Sequence, residues 1–243
     1  MWSGPRNIST AMMRAWENRP DCEVSDEPLY AAWLCLSGAD HPGRDEIIAT
    51  GESNWRKVTA DLTRGPVPGG HPIWYQKHMC HHLDRSMELD WIAELTNVLL
   101  IRPPEEVVAS YVRARGTESI VAEDVGLPQQ VMLFDWLEQT TGRPPPVIDS
   151  GDFLRDPEWH LRALCDWLGI EFRPEMLAWP PGPRGSDGVW AKYWYDAVQQ
   201  STGFAAPKTR TISLSGRAAA VSEHCRPLYR RLFAQRLSRG VSN

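Results

Sequence analysis

The sequence predicts an α/β fold, with a three-layer parallel sheet carrying helices on both faces. Short apolar runs rich in strand-forming residues alternate with longer stretches whose apolar residues recur at helical spacing. The apolar runs are too short to be surface helices, so they are typical of central strands in a parallel sheet. Because the chain has 243 residues and no linker-like segment, we expect one domain, residues 1–243.

The apolar pattern and its breaks place the predicted elements. Strands are predicted at residues 22–25, 73–76, 97–101 and 146–148. Helices are predicted to begin near residues 8, 28, 45, 86, 105, 128 and 156. A last helix, about 215–238, is expected to pack on the domain with a kink at Pro227. Residues 179–190 hold too many prolines and glycines for either element, which predicts a surface loop and a candidate lid.

Composition argues against several classes of protein. The formal net charge of −5 disfavours a general nucleic-acid binder, which needs a clustered basic surface. No apolar run is long enough to span a bilayer, and residues 1–10 lack the pattern of a secretory signal. We therefore expect a cytoplasmic protein with no membrane partner. Five scattered cysteines without a CxxC pair predict free thiols rather than disulfides.

Charged residues follow the predicted strands and the N-terminal segment. In open parallel sheets, ligands bind beyond the carboxyl ends of the strands, so these positions are the ones expected to carry function. Three of the ends bring cations to one edge of the sheet, which predicts a polyanionic ligand. The charged residues are Arg6, Asp26, Glu27, Lys77, His78, Arg102 and Asp149.

The first predicted binding segment is the loop before the first helix. Its residues are Gly4, Pro5, Arg6 and Asn7, and Ser9 and Thr10 fall in the opening turn of the helix. Backbone N–H groups, two hydroxyls and one guanidinium would there surround an anion, aided by the helix dipole. The alternative is a capped helix with a solvated arginine. The GxxxxGKS or GxxxxGKT pattern is missing, so a Walker-type site for ATP or GTP is not predicted.

Two further segments carry candidate site residues. Arg102 ends a buried strand, and Ser110 lies eight residues later on a helix. The two side chains could bind a second phosphate. The alternative for Ser110 is a solvated helix serine. His78 follows a predicted strand and could take a proton from an acceptor, since its reference pKa lies near neutrality. Its neighbours Cys80, His81 and His82 suggest a metal site, but no second ligand pair has zinc spacing, so no metal is predicted.

Taken together, these segments resemble the sulfotransferase superfamily, whose members have a P-loop nucleotide-binding fold. The family loop that binds the 5'-phosphosulfate often contains PKSGTTW, and PRNISTA occupies its place, with Arg6 at the lysine and Ser9 and Thr10 at the hydroxyl positions. Arg102 and Ser110 reproduce the family's 3'-phosphate pair. The strings WSGPRNISTAMMR, DEPLY, KHM and DGVW resemble a bacterial sulfotransferase-like subgroup.

Three further residues are assigned by the same resemblance. The family's KTH segment corresponds to QKH here, which aligns His78 with the catalytic histidine and displaces Lys77 by one position. The segment PRGSDGVW is similar to a late family loop that would let Arg184 close over the 3'-phosphate. The family also has a full strand before the phosphosulfate loop, whereas only Met1, Trp2 and Ser3 precede the loop here, so either the given start is internal to a longer chain or only a stub of that strand is expected.

The resemblance implies transfer of a sulfuryl group from 3'-phosphoadenosine 5'-phosphosulfate (PAPS) to a hydroxyl or amine of a small acceptor, without a metal. His78 would take the acceptor proton, and Arg6 with Lys77 would stabilise charge on the bridging oxygen. The acceptor is expected near Asp26, Glu27 and Tyr30. The alternatives are a P-loop small-molecule kinase and a non-catalytic nucleotide-binding protein with the same fold. The acceptor's identity and the oligomeric state do not follow from the sequence.

Overall fold

The structure is a computed structural model that describes residues 1–116, 119–207 and 211–239. Within these residues, a five-stranded sheet has the order β2-β3-β1-β4-β5. The pairs β2 with β3, β1 with β4 and β4 with β5 are parallel. The strands are β1 Trp2–Ser3, β2 Cys22–Asp26, β3 Ile73–Met79, β4 Leu99–Ile101 and β5 Val147–Asp149.

Helices flank the strands in the order that the alternating pattern predicts. The helices are α1 Ser9–Glu17, α2 Tyr30–Ser37, α3 Arg44–Thr50, α4 Trp55–Arg64, α5 Asp90–Ala93, α6 Pro104–Arg115, α7 Ala122–Val125, α8 Leu127–Thr141, α9 Ser150–Arg155, α10 Pro157–Leu168, α11 Ala191–Trp194, α12 Asp196–Gln199 and α13 Gly216–Phe233. Short 3-10 helices cover Pro68–Gly70, Cys80–His82 and Pro174–Leu177. None of the helices in the described ranges is long and apolar enough to cross a bilayer.

The predicted end of the third strand is wrong. Strand β3 continues to Met79, so Lys77 and His78 lie inside it and not beyond its carboxyl end. The polar residues Gln76, Lys77 and His78 suggested that the strand ends near Gln76, but the backbone of β3 stays in strand conformation to Met79. Lys77 pairs with Asp26 of β2, and Met1 bonds to β3 on the other side, donating to the Gln76 carbonyl and accepting from the His78 N–H, each at 2.9 Å.

The observed helices differ from the predictions at α4, α9 and α13. Helix α4 was not predicted; it begins after Asn54, whose side chain accepts a hydrogen bond from the Arg56 N–H at 3.1 Å. Helix α9 was also missed, because it follows β5 directly. The last helix ends at Phe233 instead of residue 238, since the Leu237 N–H donates to the Val147 carbonyl at 2.8 Å and ends the helical pattern. Pro227 lies within α13.

The contacts among residues divide the chain into two compact units. The first unit contains Met1 with residues 9–97 and 173–204, and the second contains residues 2–8, 98–172 and 205–243. In the first unit, α1 packs on β2 and β3. Trp16 of that helix stacks on Tyr75 with ring centroids 5.4 Å apart. The prediction of one domain stays a prediction.

The second unit is built on β1, β4 and β5. Trp2 is buried, and its N–H donates to the Val98 carbonyl at 2.8 Å, so the expected stub of a strand does form part of the sheet. Helix α8 packs on β4, and α13 contacts α6, α7, α8, β4 and β5. The interior is therefore closed by the C-terminal helix, which the sequence predicted to pack on the domain.

Candidate functional site

The loop from Gly4 to Ile8 is held in a fixed shape within the second unit. A Cβ on Gly4 would lie 2.2 Å from the Val125 carbonyl oxygen, so only glycine fits there. Asn7 donates from Nδ2 to the Leu100 carbonyl at 2.8 Å and accepts from the Ile8 N–H at 3.1 Å. Arg6 has a φ of +55°, a conformation uncommon for a non-glycine residue. The loop is thus anchored to β4 with one strained residue between its anchors.

The structure brings together three residues that the sequence analysis proposed for anion binding. Arg6 donates from Nε to Ser110 Oγ at 3.1 Å. Arg102 donates from Nη1 to the carbonyl oxygen of Arg6 at 2.6 Å, and from Nε to Glu106 at 2.9 Å. A loop, a strand end and a helix therefore meet at one cationic cluster, which we call the arginine cluster: Arg6, Arg102 and Ser110.

Positive charge is concentrated at the arginine cluster. Burial lowers the pKa of Arg6, and the neighbouring charges of Arg102 and Arg113 lower it further. No carboxylate pairs with Arg6 within the described part of the chain. Arg113 was missed by the sequence analysis, although its position three residues after Ser110 puts both on one side of α6. Among the residues that the structure describes, Glu106 pairs with Arg102 but not with Arg6 or Arg113, so positive charge exceeds negative charge here, which suits the binding of an anion.

The remaining predicted loop residues have different surroundings. Pro5 precedes Arg6 in the loop, and Ser9 and Thr10 begin α1, in the first unit. Ser9 is buried and Thr10 is partly buried. The first N–H groups of a helix have no carbonyl partner within that helix, so this turn offers hydrogen-bond donors beside the two hydroxyls.

Lys77 is fully engaged by neighbours in the first unit. Its Nζ donates to Asp26 Oδ1 at 2.8 Å, to Glu27 Oε1 at 2.5 Å and to Tyr195 Oη at 2.7 Å. An ammonium has three donors, and these partners use all of them. The side chains of Lys77 and Asp26 are each 1% exposed, and that of Glu27 is 10% exposed. Lys77 therefore has no donor left for a bridging oxygen, and its predicted role stays a prediction.

The carboxylates beside Lys77 form a charged group that we call the acidic cluster: Asp26, Glu27, Lys77 and Tyr195. Burial raises the pKa of Glu27 more than the charge of Lys77 lowers it. Burial alone would lower the pKa of Lys77, but the charges of Asp26 and Glu27 outweigh it and raise that pKa. Tyr195 donates to Asp26 Oδ2 at 2.7 Å. The sequence analysis missed Tyr195, which lies 118 residues after Lys77 and carries no motif.

Glu27 has a strained backbone. Its φ is +44°, and it is held there because its N–H donates to the Lys77 carbonyl at 2.9 Å while its own carbonyl accepts from the Tyr30 N–H at 2.9 Å. Non-glycine residues in this region are sparse and concentrate at functional sites. The conformation fixes the carboxylate at the end of β2, where the sequence analysis expected the acceptor.

Beside Glu27 lies a group of aromatic rings, the ring cluster. His82 stacks on Tyr30 at 4.5 Å and on Trp33 at 4.9 Å between centroids. Its members are Tyr30, Trp33, His41, His81, His82 and Trp190. Burial lowers the pKa of His82 well below its usual value and that of His81 to about 3, so both rings are neutral near pH 7.

His78 and Lys77 face opposite sides of β3, because successive side chains of a strand alternate. The His78 ring is enclosed, with the residue 2% exposed, Nε2 at 3.2 Å from Gln76 Oε1 and the ring centroid 5.8 Å from that of Trp91. Burial lowers its pKa well below the usual value. The predicted catalytic pair is therefore separated by the strand, and the role of His78 stays a prediction.

The predicted lid, residues 179–190, is held in place by ionic contacts within the first unit. Asp187 forms a buried pair with Arg14, with Nη2 to Oδ1 at 2.6 Å. Arg184 donates from its backbone N–H to Asp187 at 2.9 Å and from Nη2 to the Pro180 carbonyl at 3.1 Å. Its Nε lies 4.0 Å from Glu17. These contacts make the loop part of the folded unit, and binding of a phosphate by Arg184 stays a prediction.

The described residues contain no group of three or more histidine, cysteine, aspartate or glutamate side chains arranged to hold a metal ion. His81 and His82 belong to the ring cluster instead.

Comparison with known proteins identifies a family. The model of the family described as "Sulfotransferase domain" matches residues 1–234. Two curated relatives, both from Arabidopsis thaliana, are named Branched-chain-amino-acid aminotransferase-like protein 1 and protein 2. The first is 39% identical over 216 residues and the second 36% identical over 228 residues. The matches cover 88% and 94% of this chain but 38% and 40% of the relatives, so the chain spans about two-fifths of their length.

Two solved structures share the fold. The sulfotransferase domain from the curacin biosynthetic pathway matches with a TM-score of 0.51 and 16% identity over 92% of this chain and 95% of that chain. The sulfotransferase domain from the Synechococcus PCC 7002 olefin synthase matches with a TM-score of 0.56 and 15% identity over 98% of this chain and 94% of that chain. At these identities the likeness establishes the fold, and the predicted α/β class is confirmed.

Proposed function

Because the chain belongs to the sulfotransferase domain family, we propose that it transfers a sulfuryl group from PAPS to a hydroxyl or amine of a small acceptor. The observation that carries the proposal is the arginine cluster, in which Arg6, Arg102 and Ser110 converge from three elements. PAPS carries phosphate at both its 3' and 5' ends, and arginine with hydroxyl and amide donors is well suited to bind phosphate.

In this proposal, the two phosphate-bearing ends of PAPS bind to different residues. Arg102 and Ser110 bind the 3'-phosphate, and Arg113 adds positive charge on the same side of α6. The loop from Gly4 through Asn7 binds the 5' end through its backbone N–H groups, and the roles of Ser9 and Thr10 stay predictions from the family resemblance. Arg6 has no ion pair within the described residues and is the cation for charge that develops on the bridging oxygen. The role of Arg184 stays a prediction from the family resemblance.

Glu27 is a better proton acceptor than the predicted His78. The His78 ring is buried and lies beside Gln76, whereas the Glu27 side chain keeps a tenth of its surface exposed. Its Oε2 makes no hydrogen bond within the described residues. Burial raises the pKa of Glu27, and a raised pKa makes a carboxylate a stronger base. Lys77 opposes this by favouring the ionised form, which keeps the carboxylate able to accept a proton.

Two other functions are weaker candidates. A small-molecule kinase of the P-loop class would be expected to have a Walker lysine, and residue 6 is an arginine in a loop without that pattern. The relatives' aminotransferase-like names describe proteins of which this chain spans about two-fifths, while the family model that covers this chain describes a sulfotransferase domain.

The proposal is tested by incubating the protein with PAPS and a mixture of simple alcohols, phenols and amines, and measuring release of 3'-phosphoadenosine 5'-phosphate (PAP). We expect acceptor-dependent release, and no ADP from a parallel incubation with ATP and magnesium. Glu27→Gln is expected to lower turnover by about 10²-fold or more, the usual contribution of a general base. If His78→Asn abolishes turnover at unchanged thermal stability while Glu27→Gln retains it, the base is His78. ADP without PAP would contradict the sulfotransferase proposal.

A further inference from the structure

The acidic cluster carries more negative than positive charge. Asp26 and Glu27 face a single cation, Lys77. Tyr195 does not compensate, because burial raises its pKa and keeps the phenol neutral. A buried carboxylate without its own cation is costly unless a further cation reaches it. Glu27 is the more exposed of the two carboxylates, so a cation from outside would reach Glu27 first.

The rings beside Glu27 suit a cation as well. Tyr30, Trp33 and Trp190 present aromatic surfaces, and neutral His81 and His82 add no positive charge that would repel it. Trp33 and Trp190 are only partly buried, so a ligand has access to the outer side of the cluster. Ammonium groups bind favourably against such rings, above all when a carboxylate lies next to them.

A gap in the hydrogen bonding lies where the acidic cluster meets the ring cluster. His82 is 1% exposed, and neither of its ring nitrogens has a hydrogen-bond partner within the described residues. Its Nε2 lies 3.9 Å from Glu27 Oε2, too far for a direct bond. Buried polar atoms in folded proteins are nearly always satisfied. A small donor group that contacts both atoms would satisfy them, and an ammonium has enough N–H groups to do so.

We infer that the acceptor is a small primary amine, whose amino group binds Glu27 and His82 against the ring cluster. This inference rests on the proposed function, because it names the acceptor of that reaction. An anionic acceptor would face the two carboxylates, and a neutral hydroxyl would leave their excess charge uncompensated.

The proposed chemical step transfers the sulfuryl group of PAPS to the nitrogen of the amine. Glu27 Oε2 takes a proton from the bound ammonium, which frees the lone pair on nitrogen. That pair forms a bond to the sulfur of PAPS while the bond between sulfur and the 5'-phosphate oxygen breaks, and PAP leaves with the electron pair. The nitrogen then loses a second proton to solvent, and the product is a sulfamate.

A matched charge series tests the inference on the wild-type protein. Benzylamine, benzyl alcohol and benzoate share one ring and differ in charge, and each is titrated into the protein by calorimetry at pH 7. We expect benzylamine to bind at least about tenfold more tightly than benzyl alcohol, and benzoate to bind not at all. With labelled PAPS, the expected product from an equal mixture is N-benzylsulfamate. Glu27→Gln should remove the preference, whereas Glu88→Gln, an exposed carboxylate paired with Arg56, should retain it.

The outcomes separate this inference from the proposed function. Equal binding of benzylamine and benzyl alcohol, or benzyl sulfate as the main product, would overturn the amine assignment. A titration of PAP on the same protein tests the donor site independently of any acceptor. PAP binding without an amine preference would refute only the inference, and absence of PAP binding would refute the proposed function.

Discussion

At the scale of single residues, Tyr195 shows how one hydroxyl can hold a charged group together. It accepts from Lys77 and donates to Asp26, both of which have almost no exposed surface. Removing it would leave a buried ammonium short of one acceptor and a buried carboxylate short of one donor. The residue supports the acidic cluster without itself lying in any motif of the sequence.

We therefore predict that Tyr195→Phe lowers the free energy of unfolding by about 1–3 kcal/mol, the usual cost of unsatisfied buried polar groups. Urea denaturation followed by tryptophan fluorescence would measure it. Tyr193→Phe is the matched control, since Tyr193 is 41% exposed, and it should change stability by less than about 0.5 kcal/mol. Equal effects of the two variants would show that the hydroxyl of Tyr195 does not stabilise the cluster.

The sequence predicted some site residues well and others poorly, for a physical reason. The arginine cluster joins Arg102 and Ser110, whose spacing on one strand and helix is fixed by local geometry, to a loop at the N-terminus. Adjacent side chains point to opposite faces of a sheet when both lie inside a strand, so the prediction for two such residues depends on where the strand is expected to end. Since β3 is longer than predicted, Lys77 and His78 were expected to act together but face opposite ways.

At the scale of elements, residues 179–190 form a loop that is anchored to α1, and its role as a lid stays a prediction. Arg14 on α1 and Asp187 in the loop form a buried pair whose side chains are 1% and 5% exposed. The prolines and glycines of the segment correctly predicted a loop. They could not predict the ion pair that anchors the loop, because Arg14 lies on α1, 173 residues from Asp187.

Asp187→Asn is predicted to lower the free energy of unfolding by about 1–3 kcal/mol, because it leaves the buried Arg14 guanidinium with only the partly exposed Glu17 as its carboxylate partner. Loop 179–190 should also become more susceptible to limited proteolysis. As a control, Asp135→Asn breaks a pair with the half-exposed Arg231 and should cost less than about 1 kcal/mol. Comparable losses in both variants would mean that the Arg14 pair does not anchor the loop.

Some helices were predicted from local signals, whereas others were missed or given the wrong end. Helix α10 has local signals, with Asp156 capping its start and Gly169 its end, and the sequence placed its start correctly. Helix α13 ends where the following chain bonds to β5, an interaction that its own sequence does not encode. Tertiary contacts therefore explain the larger errors.

At the scale of the whole molecule, buried histidines link stability to pH. Burial lowers the pKa of His78, His81 and His82, to about 3 for His81. In the unfolded chain the ordinary value is 6.5. Between those values the unfolded state binds more protons than the folded state, so stability falls as pH decreases. Glu27 acts in the opposite direction, because its raised pKa lets the folded state bind a proton first.

We predict that lowering the pH from 7.5 to 5.0 reduces the free energy of unfolding, with His81 contributing up to about 2 kcal/mol of the loss. Urea denaturation of the wild type and of His81→Gln at both pH values would measure it. The variant should lose less stability on acidification than the wild type. Identical losses would show that His81 is protonated equally in the folded and unfolded states.

The α/β fold class was the most predictable feature, because the alternation of strand and helix patterns can be recognised without knowledge of distant contacts. The family match over residues 1–234 and the two structural neighbours agree with it. The proposed acceptor site depends on rings from separate elements, such as Tyr30, His82 and Trp190, which meet only after folding. Donor chemistry is thus suggested by local motifs, and acceptor chemistry by tertiary packing.

Donor binding is measured most directly by calorimetric titration of PAP, with 5'-AMP and ATP with magnesium as comparisons. We predict micromolar binding of PAP, at least about tenfold weaker binding of 5'-AMP, which lacks the 3'-phosphate, and a loss of about tenfold or more in Arg102→Ala. Arg143→Ala, an exposed arginine in the same unit, should bind PAP like the wild type. Failure of the folded protein to bind PAP, or equal binding by Arg102→Ala, would contradict a PAPS site at the arginine cluster.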